Sequence, residues 1–528
     1  MKKKMIFIAF LIVLLGILGG CGKQESMLEP TLWVVTEPSK QEGINAVTEL
    51  LIAQFEEANP GVTIELQYLP TEKSERELVF KRLRTQIMAG QGPDVFLLPG
   101  HNASITGDGG STSPFNPGKT TGHILVSWND MLFNDVNKAM QNGLFADISS
   151  FYDADDALEK DALNETVMDA GTYNGCRYIL PIRYDFPVLF VDETVLNAEY
   201  GITLDQVDSG IMEVLDTVLA TNSQTLACGA EPFFIRYRNA LSLLPETMNY
   251  QTGTTLLEKE VLVDFLTKFQ QLEELIADED FQRQGIDHTN YINHSYLLDF
   301  YWEEVNGKNR AHYEYGEFPI FMQGYPMQMG WLSQAHFAAA IAAAEERPIA
   351  MVPMRALDGD LVANITYYGA VGAGCETPEL AYSFLRMFLL EETQWEKNRV
   401  LIEDETEKFY YGKAIIWDHL EDGWPVRNTG SAGEMWEPLR SCVRAFAAED
   451  AEKSRQRRLQ QVRLTDADVP VLDAQIDRVY FPIGLEQSEI CPAFFSLNNW
   501  YTGEKTDADI DLLADEILAL LQWTAAEG

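Results

Sequence analysis

Arg183, Tyr184 and Asp185 bring a guanidinium, an aromatic face and a carboxylate to one point of the chain, inside Ile182–Phe186, which Pro181 and Pro187 enclose. Each proline lacks an N–H and restricts the residue before it, so neither a helix nor a central strand accepts this segment easily. A crossover between two halves of a protein reads this way, and the three side chains are the types that a wall of a polar-ligand cleft needs. An ordinary surface loop accounts for the same residues equally well. Two other places offer similar types. Ser127-Trp128-Asn129-Asp130 supplies an aromatic ring and two polar groups, with packing as the competing reading for Trp128. Arg236 and Tyr237, in Phe233–Arg238, face either a ligand or the solvent, since basic and aromatic side chains also snorkel along a surface.

Several apparent motifs fail on inspection. Gly118-Lys119-Thr120 ends like a phosphate-binding loop, but Ser113 stands where the first glycine belongs, and Pro114 and Pro117 remove backbone donors. Asp153–Leu158 opens like a calcium-binding loop, yet Ala157 and Leu158 replace an oxygen ligand and a glycine, so a solvated acidic stretch is expected. The seven histidines show no metal-ligand spacing, and neither G-x-S-x-G nor H-E-x-x-H occurs. No metal and no cofactor is expected.

The elements that must position these groups follow from periodicity. Leu32–Thr36 reads as a strand, and Ile44, Val47, Leu51 and Phe55 mark a helical face ending at Asn59-Pro60-Gly61. Val62, Ile64, Leu66 and Tyr68 alternate as in a half-buried strand. Val79, Leu83 and Ile87 repeat at four in a second helix, before the strand Asp94–Leu98. The order βαβαβ implies an α/β fold with mainly parallel, doubly wound sheets, whose ligands sit beyond the carboxyl ends of the strands. That rule places Glu37–Lys40 and Pro99–Asn102 at a cleft, and makes Glu37 and His101 candidate ligand contacts. Gly107–Gly122, rich in Gly, Ser, Thr and Pro, reads as a loop insertion. Further on, Phe186–Val191 reads as a strand, residues 204–281 as mostly helical, 449–463 as an exposed charged helix, and 508–521 as a final amphipathic helix.

The chain has 528 residues, too many for one core, and a prior of ~150 residues per domain suggests several units. Acidic residues outnumber basic ones 81 to 39, and the net charge of -42 repels nucleic acid. Met1–Cys21 reads as an export signal: Lys2–Lys4 precede an uncharged apolar run, slightly short for a membrane span of ~20 residues. Its end, Leu18-Gly19-Gly20-Cys21, resembles the bacterial lipobox, which implies lipidation at Cys21 and a chain anchored to the extracytoplasmic face of the membrane. A plain transmembrane anchor is the alternative. The other five cysteines are far apart with no C-x-x-C pair, and are expected as buried thiols.

Phe55–Glu65 (Phe-Glu-Glu-Ala-Asn-Pro-Gly-Val-Thr-Ile-Glu) and Gln86–Phe96 (Gln-Ile-Met-Ala-Gly-Gln-Gly-Pro-Asp-Val-Phe) resemble the N-terminal signature of the family 1 extracellular solute-binding proteins. The resemblance continues in order through Gly143–Ile148, Tyr173-Asn174-Gly175, Phe321–Trp331 and Thr377–Leu385, nearly the full length. It implies a two-lobed periplasmic-binding-protein-like receptor, maltose-binding-protein-like and monomeric, that closes over a small molecule, for many members a sugar, and delivers it to the permease of an ABC importer. It also implies cleft positions for Trp331, although Gln328 replaces the family's methionine, for Tyr367 and Tyr368, and for Trp424 in Gly423-Trp-Pro-Val-Arg427. A buried core residue is the competing reading of Trp331, and the resemblance tips the balance toward ligand contact. The expected division is signal 1–21, tether 22–30, lobe one 31–181 and 349–402, and lobe two 182–348 and 403–528. A binding protein needs no catalytic group; the alternatives are a secreted glycoside hydrolase using two carboxylates, or a peptide or polyamine receptor on the same fold.

Overall fold

A computed structural model describes residues 30–38, 43–100, 104–112, 120–125, 131–207, 210–227, 248–249, 254–276, 326–332, 349–357, 359–390, 393, 423–427, 476–481 and 509–526. The first unit follows the expected order: β1 (Thr31–Thr36), α1 (Gly43–Ala58), β2 (Thr63–Tyr68), α2 (Lys73–Met88) and β3 (Val95–Pro99). β1 pairs in parallel with β2 on one side and β3 on the other. The Glu72 carboxylate caps α2 by accepting the Glu75 N–H at 2.8 Å, satisfying one of the helix's orphan donors.

Beyond β3 the chain forms the hairpin β4 (Ser104–Thr112) and β5 (Thr120–Leu125), where the Gly-rich composition suggested a loop insertion. Ser104–Thr106 pair with His123–Leu125, and Ser111 and Thr112 with Thr121 and Thr120, so threonine's preference for extended backbone prevails outside residues 107–110.

β6 (Ile179–Asp185) then runs to the end of the first sheet, Phe186 alone intervenes, and β7 (Pro187–Asp192) begins a second sheet. There β8 (Met327–Trp331) and β9 (Ile349–Pro353) flank β7, both antiparallel to it. From β9 the chain returns through residues 354–361 to β10 (Val362–Val371), which lies between β3 and β6. β11 (Trp424–Pro425) pairs with β6, and β12 (Arg478–Tyr480) with the start of β10. The first sheet therefore has the order β11-β6-β10-β3-β1-β2, with β12 on β10.

The strand directions follow from the crossings. β6 leaves the first sheet at the edge where β3 ends, so it runs with β3; β10 enters at that edge and must run against both. The same reasoning makes β9, which leads back, antiparallel to β7. The α/β class is as expected, with the parallel pairing concentrated in the β2-β1-β3 half and in β12.

Two apolar clusters accompany the two sheets. The first contains β1, β3, β6 and β10 with Phe55, Phe384 and Phe388, the last three in edge-to-face contact. The second holds Leu189 and Val191 of β7 against α3 (Ile211–Thr221), α4 (Lys259–Ile276) and α6 (Ile510–Ala526). The chain passes from one sheet to the other at Phe186, and Val188 and Phe190 of β7 also pack in the first cluster; β11 and β12 pair into the first sheet, so Trp424, Val426, Ile476 and Phe481 pack there too.

Local charge pairs fix the connections. Arg355 meets Asp477 at 3.0 Å and Arg478 meets Asp360 at 2.7 Å, tying the return crossing to β12; such partly exposed pairs contribute about 0–1 kcal/mol each. Asp155, from the stretch expected to be solvated, accepts from Arg386 at 2.8 Å and Tyr382 at 3.0 Å, since α5 (Pro378–Leu385) and the turn after it pack over it. Cys176 and Cys375 are free and half-buried rather than buried; burial pushes the Cys375 thiol up to about 12. Among the described residues no helix is long and apolar enough to cross a membrane.

Gly100 gives this junction a sharp test. Its N–H bonds the Thr366 carbonyl at 2.8 Å, and a Cβ there would lie 1.8 Å from the Ile365 oxygen. Gly100→Ala should cost on the order of 1–3 kcal/mol or more, seen as a lower urea midpoint with unchanged slope; an unaltered midpoint would mean that β3 and β10 are less closely apposed.

Candidate functional site

The ends of β1, β3 and β6 and the start of β10 share one edge of the first sheet, the edge at which the chain crosses to the second. Glu37 immediately follows β1 there and is buried. Its carboxylate accepts two bonds from Arg76 of α2, Nη1 to Oε2 at 2.8 Å and Nη2 to Oε1 at 2.5 Å. Arg76 also donates to the Pro70 carbonyl at 3.0 Å, and its guanidinium lies 4.4 Å from the Phe80 ring centre. Burial pushes the Glu37 carboxyl up; the hydrogen bonds and charge of Arg76 oppose that shift and do not cancel it.

β10 supplies Tyr367 and Tyr368. The Tyr367 hydroxyl donates to the Leu97 carbonyl at 3.2 Å and lies 3.0 Å from Thr36 Oγ1, which donates back, so one phenol ties β10 to β3 and β1. Tyr368 packs edge-on against Phe481 with ring centres 5.5 Å apart. Its hydroxyl is held further from ionisation by burial first and then by the nearby Glu37 and Tyr367.

β6 brings Arg183, Tyr184 and Asp185 to the same edge, with Asp185 opposite Asn364, Tyr184 opposite Ile365 and Arg183 opposite Tyr367. Tyr184 stacks on Phe186 at 6.4 Å, and Asp185 accepts the Phe186 N–H at 3.0 Å, stiffening the crossing itself. Trp424 of β11 lies opposite Tyr184. Gly423 before it has φ +109°, and a side chain there would strike Thr366 Oγ1 at 2.0 Å.

Of the residues expected to line a cleft, Glu37, Arg183, Tyr184, Asp185, Tyr367, Tyr368 and Trp424 thus come together, and all are buried. The rings of Tyr184, Tyr367, Tyr368 and Trp424 belong to the first apolar cluster. Trp331 ends β8 opposite Pro187, next to the crossing in backbone register. His101, Trp128, Arg236, Tyr237 and Cys21 lie outside the described residues.

Sequence reasoning missed two polar groups at this edge. Arg76 was hidden because a basic residue in a helix usually faces solvent, and only the fold brings it against Glu37. Asn364 was hidden because it stands in a largely apolar strand with no motif around it; its side-chain Oδ1 is buried and has no hydrogen-bond partner among the described residues. A pocket of about 600 Å³ also runs along α2, lined by Arg76, Phe80, Lys81, Arg84 and Met88 among others. Arg84 donates there to the carbonyls of Met131 and Leu132 at 2.7 and 3.0 Å, and burial lowers its pKa.

The arrangement suits recognition of a polar molecule: two carboxylates balance two guanidiniums, and Glu37 has both oxygens engaged by Arg76. Among the described residues no group of acidic, His and Cys side chains is placed to hold a metal ion. Replacing Arg76 by Met should strand a buried carboxylate and cost about 3–5 kcal/mol near neutral pH. Glu37, with a raised folded-state pKa, then binds more protons folded than unfolded, so stability falls as pH rises through that pKa and recovers as pH falls. Urea unfolding of Arg76→Met at pH 5 and pH 8 should show the smaller loss at pH 5; equal losses would place the carboxylate in water.

Residues 38–130 match the family model described as bacterial extracellular solute-binding protein, which bears out the sequence resemblance over that segment, the one that holds α1, β2, α2 and β3. A search of curated proteins finds no match. Among solved structures, a de novo designed cysteine esterase is 14% identical, with 95% of this chain and 99% of that chain covered, at a TM-score of 0.50. The family 1 extracellular solute-binding protein of Alicyclobacillus acidocaldarius subsp. acidocaldarius DSM 446 is 12% identical over 94% of this chain and 98% of its own, TM-score 0.47. An ABC substrate-binding protein of Listeria monocytogenes, in complex with cycloalternan, is 11% identical over 94% and 99%, TM-score 0.46. At 14% identity the first of these likenesses is one of fold alone.

Proposed function

We propose, taking the family match over residues 38–130 as premise, that the chain is an extracytoplasmic solute receptor that closes its two halves over a small polyhydroxylated molecule and hands it to a membrane permease. The observation that carries this reading is the gathering of Glu37, Arg183 and Asp185 at the one sheet edge where β6 passes to β7 through a single residue. Ligands of open α/β sheets sit at such an edge, and a few placed polar groups beside aromatic side chains are what a sugar site requires. The two crossings, at Phe186 and residues 354–361, are short linking segments of the kind that absorb domain closure. Trp331, beside the first crossing, is the aromatic platform in this reading. Cys21, by its lipobox, anchors the receptor to the extracytoplasmic face.

Calorimetric titration against maltotriose, mannotriose and spermidine tests the ligand class. Binding of a sugar with micromolar or tighter affinity is expected, accompanied by a smaller radius of gyration in small-angle scattering; spermidine binding alone would favour a polyamine receptor. Trp331→Ala should weaken the sugar roughly five- to 150-fold through apolar contact worth on the order of 1–3 kcal/mol. A large loss of stability with unaltered affinity would return Trp331 to the core. Cys21→Ser should release the exported protein from membranes, and retention of an exported variant with its signal uncleaved would refute the lipid anchor.

A further inference from the structure

Asn364 breaks the local rule of its strand. It stands in β10 among Val362, Ala363 and Ile365, where a short polar amide is disfavoured and an apolar residue would pack. The side chain is 3% exposed, and its Oδ1 has no hydrogen-bond partner among the described residues. Buried amide carbonyls are nearly always paired, because leaving one unpaired forfeits its hydration with no return. Departures of this kind concentrate at functional positions. Its surroundings sharpen the point. By register Asn364 lies opposite Asp185 on one side and Tyr480 on the other. Directly opposed residues have Cβ atoms about 4.5–5.5 Å apart, so the carboxylate of Asp185 and the carbonyl of Asn364 place two acceptors together. Asp185 accepts from the Phe186 N–H through Oδ1, within the backbone of the crossing.

We infer that Asn364 is a ligand-reading residue: its side-chain carbonyl accepts a hydrogen bond from a hydroxyl of the bound solute, at the point where the chain crosses between sheets. This rests on the receptor reading given above and adds to it a residue and a selectivity. An acceptor beside a carboxylate rejects anionic ligands and selects neutral molecules that donate, so uronic acids should be excluded from this position. An unpaired acceptor in the empty protein is also a local cost that the ligand relieves, which favours closure only when a donor is present.

The test uses the full chain with Asn364→Ala, Asn364→Val and Asn364→Asp, each followed by thermal melting without ligand and by calorimetric titration with maltotriose, mannotriose, galacturonate and spermidine. The expected result is that Ala and Val leave Tm unchanged or raised, since no structural bond is lost, while affinity for the bound neutral sugar falls about 5- to 150-fold. A fall of several degrees in Tm for both variants would show that the amide serves the fold, and overturns the inference. So does sugar affinity that Asn364→Val leaves unchanged in a protein that binds the sugar. Failure of the unmodified protein to bind either neutral sugar overturns the receptor reading and the ligand class with it, a result distinct from the previous one. Spermidine binding strengthened by Asn364→Asp would replace the hydroxyl by an ammonium and overturn the hydroxyl assignment; galacturonate binding tighter than that of the neutral sugars would overturn the selectivity.

Discussion

β10 is the strand on which the rest of the architecture depends. It enters from the second sheet, must find backbone partners on both sides, and does so with β3 and β6, which it joins. A buried strand with unmade backbone bonds is not tolerated, so its arrival fixes where the first sheet ends and where the crossing can lie. The Tyr367 hydroxyl, shared between Thr36 and Leu97, extends that constraint through three neighbouring strands. Gly100 lets the backbones approach where any side chain would collide with Ile365.

The polar groups of the candidate site are held by the same element. Glu37 is presented by β1 and neutralised by Arg76 from α2, while Arg183 and Asp185 sit on β6 across from β10. Buried charges are costly unless they are paired, and Glu37 finds its partner in Arg76, 39 residues further along the chain. A ligand arriving at this edge meets groups whose orientation is already set, which reduces the ordering cost of binding. The aromatic residues divide differently: Tyr184, Tyr367, Tyr368 and Trp424 support the edge from within the apolar cluster instead of standing free in front of it.

The two ways across are unequal. Phe186 links β6 to β7 with no intervening loop, and Asp185 accepts its N–H. The return through residues 354–361 includes Gly359 at φ +90° and is tied to β12 by two partly exposed ion pairs. A bend at the first crossing must be absorbed by few backbone angles, whereas the return crossing has more residues to share it.

What the sequence determined by itself was everything governed by neighbours in the chain. The strands and helices of the βαβαβ unit came from spacing at two and at four. The prolines marked the crossing to within a few residues, but the expectation that no central strand accepts the segment did not hold: Pro181 and Ile182–Asp185 lie in β6 between β11 and β10, because strand pairing is decided by partners from far along the chain. Gathering Glu37, Arg183 and Asp185 at one edge was legible only through the rule for where such sheets bind. Tertiary structure decided the rest. A side chain's burial depends on what arrives from far away: Arg76 is a charged helix residue until it meets Glu37, Trp424 is a cleft aromatic until β11 pairs with β6, and Asn364 is unremarked until β6 and β12 close on both sides of it. Strand direction was equally out of reach, since it is set by the edge at which β10 enters from the second sheet and not by any residue within it.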